Sequence, residues 1–168
     1  MDNIILIGMP GCGKSTVGVL LAKMLGYSFI DSDLLIQNAA GKKLYEILRD
    51  DGTEYFSKLE NSVNSGIIAH KTVIATGGSV VYGADAMKHL SSIGTVVYLK
   101  TTLKELERRV NNFETRGVVI KNGETLADLF AERQPLYEQY ADITVNCGRA
   151  SLKKNAEKII QALPCGGK

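Results

Sequence analysis

The chain has 168 residues, 45% of them hydrophobic and 23% charged, with a formal net charge of only +2. That length supports one domain burying roughly two thirds of the surface its unfolded form exposes, and the balanced charge, with no lysine–arginine run, argues against nucleic-acid or membrane-surface partners. No apolar stretch is long enough to span a bilayer, Met1-Asp2-Asn3 lacks the basic start of a signal peptide, and Cys12, Cys147 and Cys165 have no zinc-type spacing, so a soluble cytoplasmic protein with free thiols is expected.

Asn3 to Gly8 is a short apolar run closed by glycine, followed by a Gly-rich turn and then Ser15 to Leu25, where Val17, Leu20, Leu21 and Met24 recur at helical spacing. Strand, loop and helix follow in that order. Tyr27 to Ile30 reads as a second strand leading into Asp31-Ser32-Asp33, and a helical pattern runs from Leu34 until Gly41 stops it. Lys43 to Arg49 and Tyr55 to Ala69 read as two further helices parted by Asp50-Asp51-Gly52. Thr72 to Ala75 is β-rich and runs into Thr76-Gly77-Gly78. Val96 to Leu99 is continuously apolar, as a strand covered on both faces should be, and Leu103 to Val110 returns to helical spacing. Ile143 to Val145 supplies a fifth strand and Leu152 to Leu163 a closing helix. Asn111 to Glu124 fits neither period and is read as a loop. The alternation implies an α/β fold with a parallel sheet of five strands.

Gly8-Met9-Pro10-Gly11-Cys12-Gly13-Lys14-Ser15 carries the chemistry. A glycine, four residues, then glycine, lysine and serine, set between strand and helix, is the pattern of a phosphate-binding loop. Its glycines let backbone N–H groups converge on phosphate, and the following helix adds the positive end of its dipole. Gly11, Cys12, Gly13, Lys14, Ser15 and Thr16 are therefore assigned to ATP, with Ser15 also assigned to Mg²⁺. Asp31 and Asp33, at alternate positions after the second strand, suit a metal shell and a substrate hydroxyl, while Asp33 could equally cap the helix that starts at Leu34. Gly77 and Gly78 follow the third strand and allow a ligand to approach the backbone, or make a bare turn. Arg116 could close over the phosphates from the irregular loop, although any exposed loop arginine could look the same.

Taken together, the loop from Gly8 to Thr16, Asp31-Ser32-Asp33, Gly77-Gly78, Arg116 and Glu132-Arg133-Gln134-Pro135-Leu136-Tyr137 resemble the shikimate kinase family in order and spacing over essentially the whole chain. The resemblance implies a P-loop, nucleoside-monophosphate-kinase-like fold, with a helical substrate-binding region over about residues 32–60 and a lid over about 111–124. It further implies Asp33 on the ring hydroxyls, Asp31 in the metal shell, Gly77 and Gly78 in the substrate loop, Arg116 as the catalytic lid arginine, Arg133 on the substrate carboxylate, and Arg109 with the Cys147-Gly148-Arg149 turn at the adenine. Three positions depart from the family pattern: Ser57 replaces the arginine of Phe-Arg-x-x-Glu, Ser79 a third glycine, and Gly117 a proline. Serine cannot supply a forked, charge-assisted contact to a carboxylate. Lys58 lies about 100° further round the helix and should face elsewhere. The expected activity is phosphorylation of a small hydroxylated metabolite by a monomer. The acceptor is shikimate, or another hydroxy acid or polyol, and a nucleotide-binding regulatory protein with an impaired acceptor site stands as the non-enzymatic alternative.

Overall fold

The computed structural model describes residues 3–109 and 124–164. Within them the strands β1 (Asn3–Ile7), β2 (Ser28–Asp31), β3 (Thr72–Ala75), β4 (Gly94–Lys100) and β5 (Ile143–Asn146) form one parallel sheet in the order β2-β3-β1-β4-β5. Every residue of β1 and β3 is buried, which is why both read as unbroken runs instead of alternating ones. Asn3 is the polar exception. Its amide donates to the carbonyls of Ala69 (2.8 Å) and Ile93 (2.9 Å), and its side-chain oxygen accepts from the Thr72 N–H at 3.0 Å, so one residue ties together the starts of β1, β3 and β4.

The helices are α1 (Lys14–Leu25), α2 (Ser32–Ala40), α3 (Leu44–Asp50), α4 (Gly52–Ser65), α5 (Ala84–Ile93), α6 (Leu103–Arg109), α7 (Leu126–Tyr140) and α8 (Leu152–Ala162). From β1 the chain crosses outward through α1 to β2, then returns to β3 and crosses the other way through α5 to β4. Right-handed crossovers in opposite directions put α1 and α5 on opposite faces of the sheet. The reversal occurs around β1, so the loops after β1, β2 and β3 meet at the carboxyl edge, where open α/β sheets hold ligands. Beside the main core, Ile36, Ile47 and Phe56 from α2, α3 and α4 form a small core of their own.

Two expectations need correction. The helix after the second strand begins at Ser32, not Leu34, because Asp31 is its cap: the Asp31 carboxylate accepts the Asp33 N–H at 3.1 Å. Asp33 therefore belongs to the first helical turn and is neither the cap nor part of an extended pair. The fourth helix ends at Ser65 in front of Gly66, four residues before the expected end. The expected lid lies outside the described residues except for Glu124, and Arg116 and Gly117 lie outside them too. Among the described residues no helix is long and apolar enough to cross a membrane.

Candidate active site

The turn after β1 is shaped by backbone that only glycine adopts readily. Gly8 has φ +143° and Gly13 φ +101°, and a Cβ on Gly8 would stand 2.9 Å from the Leu99 carbonyl oxygen. Gly13 is the residue before α1 and offers no side chain to its first turn, so N–H groups of that turn stay available to a ligand. Lys14 is buried, and its ammonium donates to the carbonyls of Gly8 (2.7 Å) and Met9 (3.0 Å). The Cys12 N–H is used inside the turn, donating to Met9 O at 3.2 Å, while the Cys12 side chain is sunk in the core.

A cavity of about 480 Å³ opens at this edge. Gly11, Gly13, Lys14, Ser15 and Thr16 line one end of it, Asp33, Gly77, Gly78 and Arg133 the other, and Arg109 also reaches its wall. Ten of the residues singled out from sequence are thus brought together. Four others are not on this wall. Asp31 is engaged as the cap of α2, and Cys12 points inward. Arg149 is exposed and away from the cavity. Ser57 is exposed as well and borders a separate hollow of about 220 Å³, which meets the main cavity at Glu60 and Ser79. Lys58 faces away as expected, with its ammonium held by the Glu54 carboxylate at 2.7 Å on the surface. Cys12 and Cys147 are free thiols, and burial pushes the Cys147 thiol up to about 12.

The end away from the phosphate loop carries two carboxyls and a buried guanidinium. Burial, reinforced by neighbouring Asp31 and opposed by Lys14, raises Asp33 to about 6. Glu60 is raised to about 7, chiefly by burial; the Ser79 hydrogen bond opposes this, Asp33 adds to it, and Arg133 and Lys14 counter it. Arg133 is 1% exposed; its Nε donates to the Tyr82 hydroxyl at 3.2 Å and its guanidinium lies 5.2 Å from the centre of the Tyr82 ring. Tyr82 in turn donates to Glu132 at 2.6 Å. The Tyr137 hydroxyl donates to the Gly78 carbonyl at 2.6 Å, and its ring stacks on Tyr98 with centroids 5.1 Å apart, so α7 is fastened to the glycine loop. Residue 78 must be small: a Cβ there would meet the Pro10 ring at 2.7 Å and Arg133 Nη1 at 3.2 Å.

Glu60, Tyr82 and Tyr137 were missed as site residues by sequence reasoning. A signal existed for Glu60, which sits four residues after Phe56 and four before Asn64 on the buried stripe of α4, where an acid is out of place unless it has a task. Tyr82 carries no such signal, since a half-exposed tyrosine is ordinary, whereas Tyr137 closes the Glu132–Tyr137 segment that carries the resemblance but reads there as a core residue. At the far end, Arg109 donates to Glu105 (2.9 Å), to the Cys12 carbonyl (3.3 Å) and to the Gly148 carbonyl (2.7 Å), joining α6, the phosphate loop and the turn after β5.

A phosphate cradle facing a carboxyl and a guanidinium across one cavity suits transfer of a phosphoryl group to a small, anionic, hydroxylated molecule. The family model described as shikimate kinase matches residues 10–164 of this chain. The chain belongs to the shikimate kinase family. A shikimate kinase from Francisella tularensis subsp. holarctica is 40% identical over 161 residues, covering 94% of this chain and 92% of the relative. Another, from Nitrosomonas europaea, is 39% identical over 165 residues, covering 96% of this chain and 78% of the relative. Among solved structures, the shikimate kinase from Acinetobacter baumannii in complex with shikimate superposes with a TM-score of 0.86 at 33% identity, over 96% of this chain and 92% of its own. Membership of the shikimate kinase family makes the chain an ATP-using kinase with a small-molecule acceptor, and removes the non-enzymatic alternative.

Proposed function

We propose that this chain transfers the γ-phosphate of ATP to a ring hydroxyl of shikimate, giving shikimate 3-phosphate. The observation that carries the reading is the single cavity in which the phosphate loop faces Asp33 and Arg133 across Gly77 and Gly78, in a chain similar over nearly its whole length to a kinase solved with shikimate. Amides of the loop and the start of α1 hold the phosphates, and Lys14 leaves its carbonyl partners to neutralise them. Asp33 orients the acceptor hydroxyl and takes its proton, a role that suits a carboxyl raised toward neutrality. Arg133, already fixed by Tyr82, pairs with the acceptor carboxylate. Arg116 supplies charge as the phosphoryl group moves. Arg109 and Arg149 flank the adenine end.

Mg²⁺ fits the phosphate end, because this ion takes few protein ligands beside phosphate and water, and the Ser15 hydroxyl stands on the cavity wall there. Asp31, the cap of α2, would serve the ion through water. When bound, Mg²⁺ supplies positive charge to the β- and γ-phosphates. A monomer working in the cytoplasm completes the reading.

One observation favours a second reading, in which the acceptor is another small hydroxy acid: position 57 brings no cation to the site. ADP release measured against a panel of hydroxy acids and polyols separates the two. Turnover with shikimate at a kcat/KM at least ten times that of any other compound is expected, and preference for a different acceptor overturns the shikimate reading.

A further inference from the structure

The way Arg133 is held decides how well it can hold an anion. It stands on α7 one turn before Tyr137, and its guanidinium reaches two phenols: Nε donates to the Tyr82 hydroxyl at 3.2 Å, and the Tyr137 hydroxyl is hydrogen-bonded as well. A phenol has a single proton, and both have committed theirs elsewhere, Tyr82 to Glu132 Oε1 at 2.6 Å and Tyr137 to the Gly78 carbonyl at 2.6 Å. Toward the guanidinium both oxygens can therefore only accept. A neutral phenol fixed in this way orients a cation without cancelling its charge, as a carboxylate in its place would. The two grips differ in origin. Tyr137 belongs to the same helix as Arg133, whereas Tyr82 ends the 3-10 turn Val80–Tyr82 that continues the glycine loop after Ser79. The Tyr82 ring also lies against the guanidinium, 5.2 Å from its centre.

We propose that Tyr82 is a positioning residue that sets the specificity of the site for an acceptor carboxylate, with Glu132 as the anchor that turns its hydroxyl oxygen toward Arg133. Tyr82 touches no reacting atom. It fixes the plane of the guanidinium beside Gly78, where a Cβ would already stand 3.2 Å from Nη1. Ser57 borders the same hollow as Tyr82 and brings no cation. Discrimination between an acceptor with a carboxylate and one with a neutral group in its place therefore depends on how firmly Arg133 is oriented. The inference rests on the reading of the chain as a shikimate-phosphorylating enzyme.

The test uses the full chain with ATP and two acceptors, shikimate and its neutral primary carboxamide. Tyr82→Phe, which keeps the ring and removes the hydroxyl, raises the KM for shikimate about ten-fold, with kcat within about twofold and the KM for ATP unchanged. The KM for the carboxamide moves by no more than about twofold, because it offers the guanidinium no charge to grip. In Arg133→Lys, which lacks the fork, adding Tyr82→Phe costs no more than about a further twofold. Glu132→Gln, whose side-chain oxygen still accepts the phenol proton, stays within about threefold of the wild-type KM for shikimate, while Glu132→Ala, which frees the hydroxyl to turn, raises that KM about five-fold. Should Tyr82→Phe fail to fold, Glu132→Ala takes its place in the comparison of the two acceptors. Equal losses for shikimate and the carboxamide, or a shikimate KM unmoved in Tyr82→Phe, overturn the role of Tyr82 while wild-type turnover keeps the shikimate reading intact. A wild type inactive on shikimate overturns both.

Discussion

Replacing Glu60 by glutamine should stabilise the protein in alkali and not in acid. The carboxyl is ordinarily half-protonated at 4.5 and in the folded chain at about 7, with burial the main cause. Folding therefore strengthens its hold on a proton. A group of this kind contributes stability that is fully present below the unfolded value of 4.5 and is lost as pH climbs through about 7. A shift of that size corresponds to about 3 kcal/mol lost by pH 8.5. Glutamine keeps the shape, can still accept from Ser79, and has no charge to bury. At pH 8.5, Glu60→Gln should exceed the wild type by up to about 3 kcal/mol, which for a chain of this size is roughly 6–12 °C in Tm. At pH 4.5 the two should melt together to within about 2 °C. Calorimetric melts of both proteins across this range measure the difference, in which every other titrating group largely cancels. A gain independent of pH, or one larger in acid, would refute the burial of an ionisable Glu60 as the source.

Lys14→Ala should abolish ADP release in the assay with shikimate while lowering Tm only slightly, since the ammonium acts on phosphate and the loop carbonyls it leaves can turn to water. Asp33→Asn should cut kcat by orders of magnitude with little change in ATP affinity, and the wild-type kcat/KM should fall as pH drops below about 6, where Asp33 takes up a proton. A fall confined to the KM for ATP would place Asp33 on the nucleotide instead. Ser57→Arg should lower the KM for shikimate about ten-fold by adding a carboxylate contact, with less gain at high salt, and should reduce the alkaline instability because its guanidinium lies one helical turn from Glu60. Gly78→Ala should raise the acceptor KM and lower stability by about 1–3 kcal/mol, because the added methyl meets the Pro10 ring at 2.7 Å. An unchanged KM in that variant would show that the glycine loop gives way freely.

The phosphate loop and its flanking strand and helix were legible because three independent signals agree there: an apolar run, glycines at fixed offsets, and helical spacing from Val17 onward. Sites carried by helix phase were harder to read. Asp31 and Asp33 look like a pair on a strand until the hydrogen bond from the Asp33 N–H to Asp31 turns the chain into α2 at once. Ser57 occupies a position where the family carries an arginine, yet it stands exposed, because a short side chain at that helical phase cannot reach the cavity that a long one could enter. Helix α7 contains Pro135, ordinarily a stop signal, and runs through it. Its place is held by tertiary contacts that no local pattern encodes, such as Tyr137 on Gly78 and on Tyr98.

The clamp made by Asn3 sits at the amino ends of the strands, whereas Lys14 and Asp33 stand at their carboxyl ends. Mechanical cohesion of β1, β3 and β4 is thereby anchored at one rim and chemistry is written on the other. Positions at the active rim can exchange residues, as 57 on α4 and 79 after β3 illustrate, without loosening the seam beneath them. The arrangement leaves acceptor preference free to drift through single substitutions in a lineage whose scaffold stays unchanged, and it marks the Asn3 rim as the place to add stability without disturbing turnover.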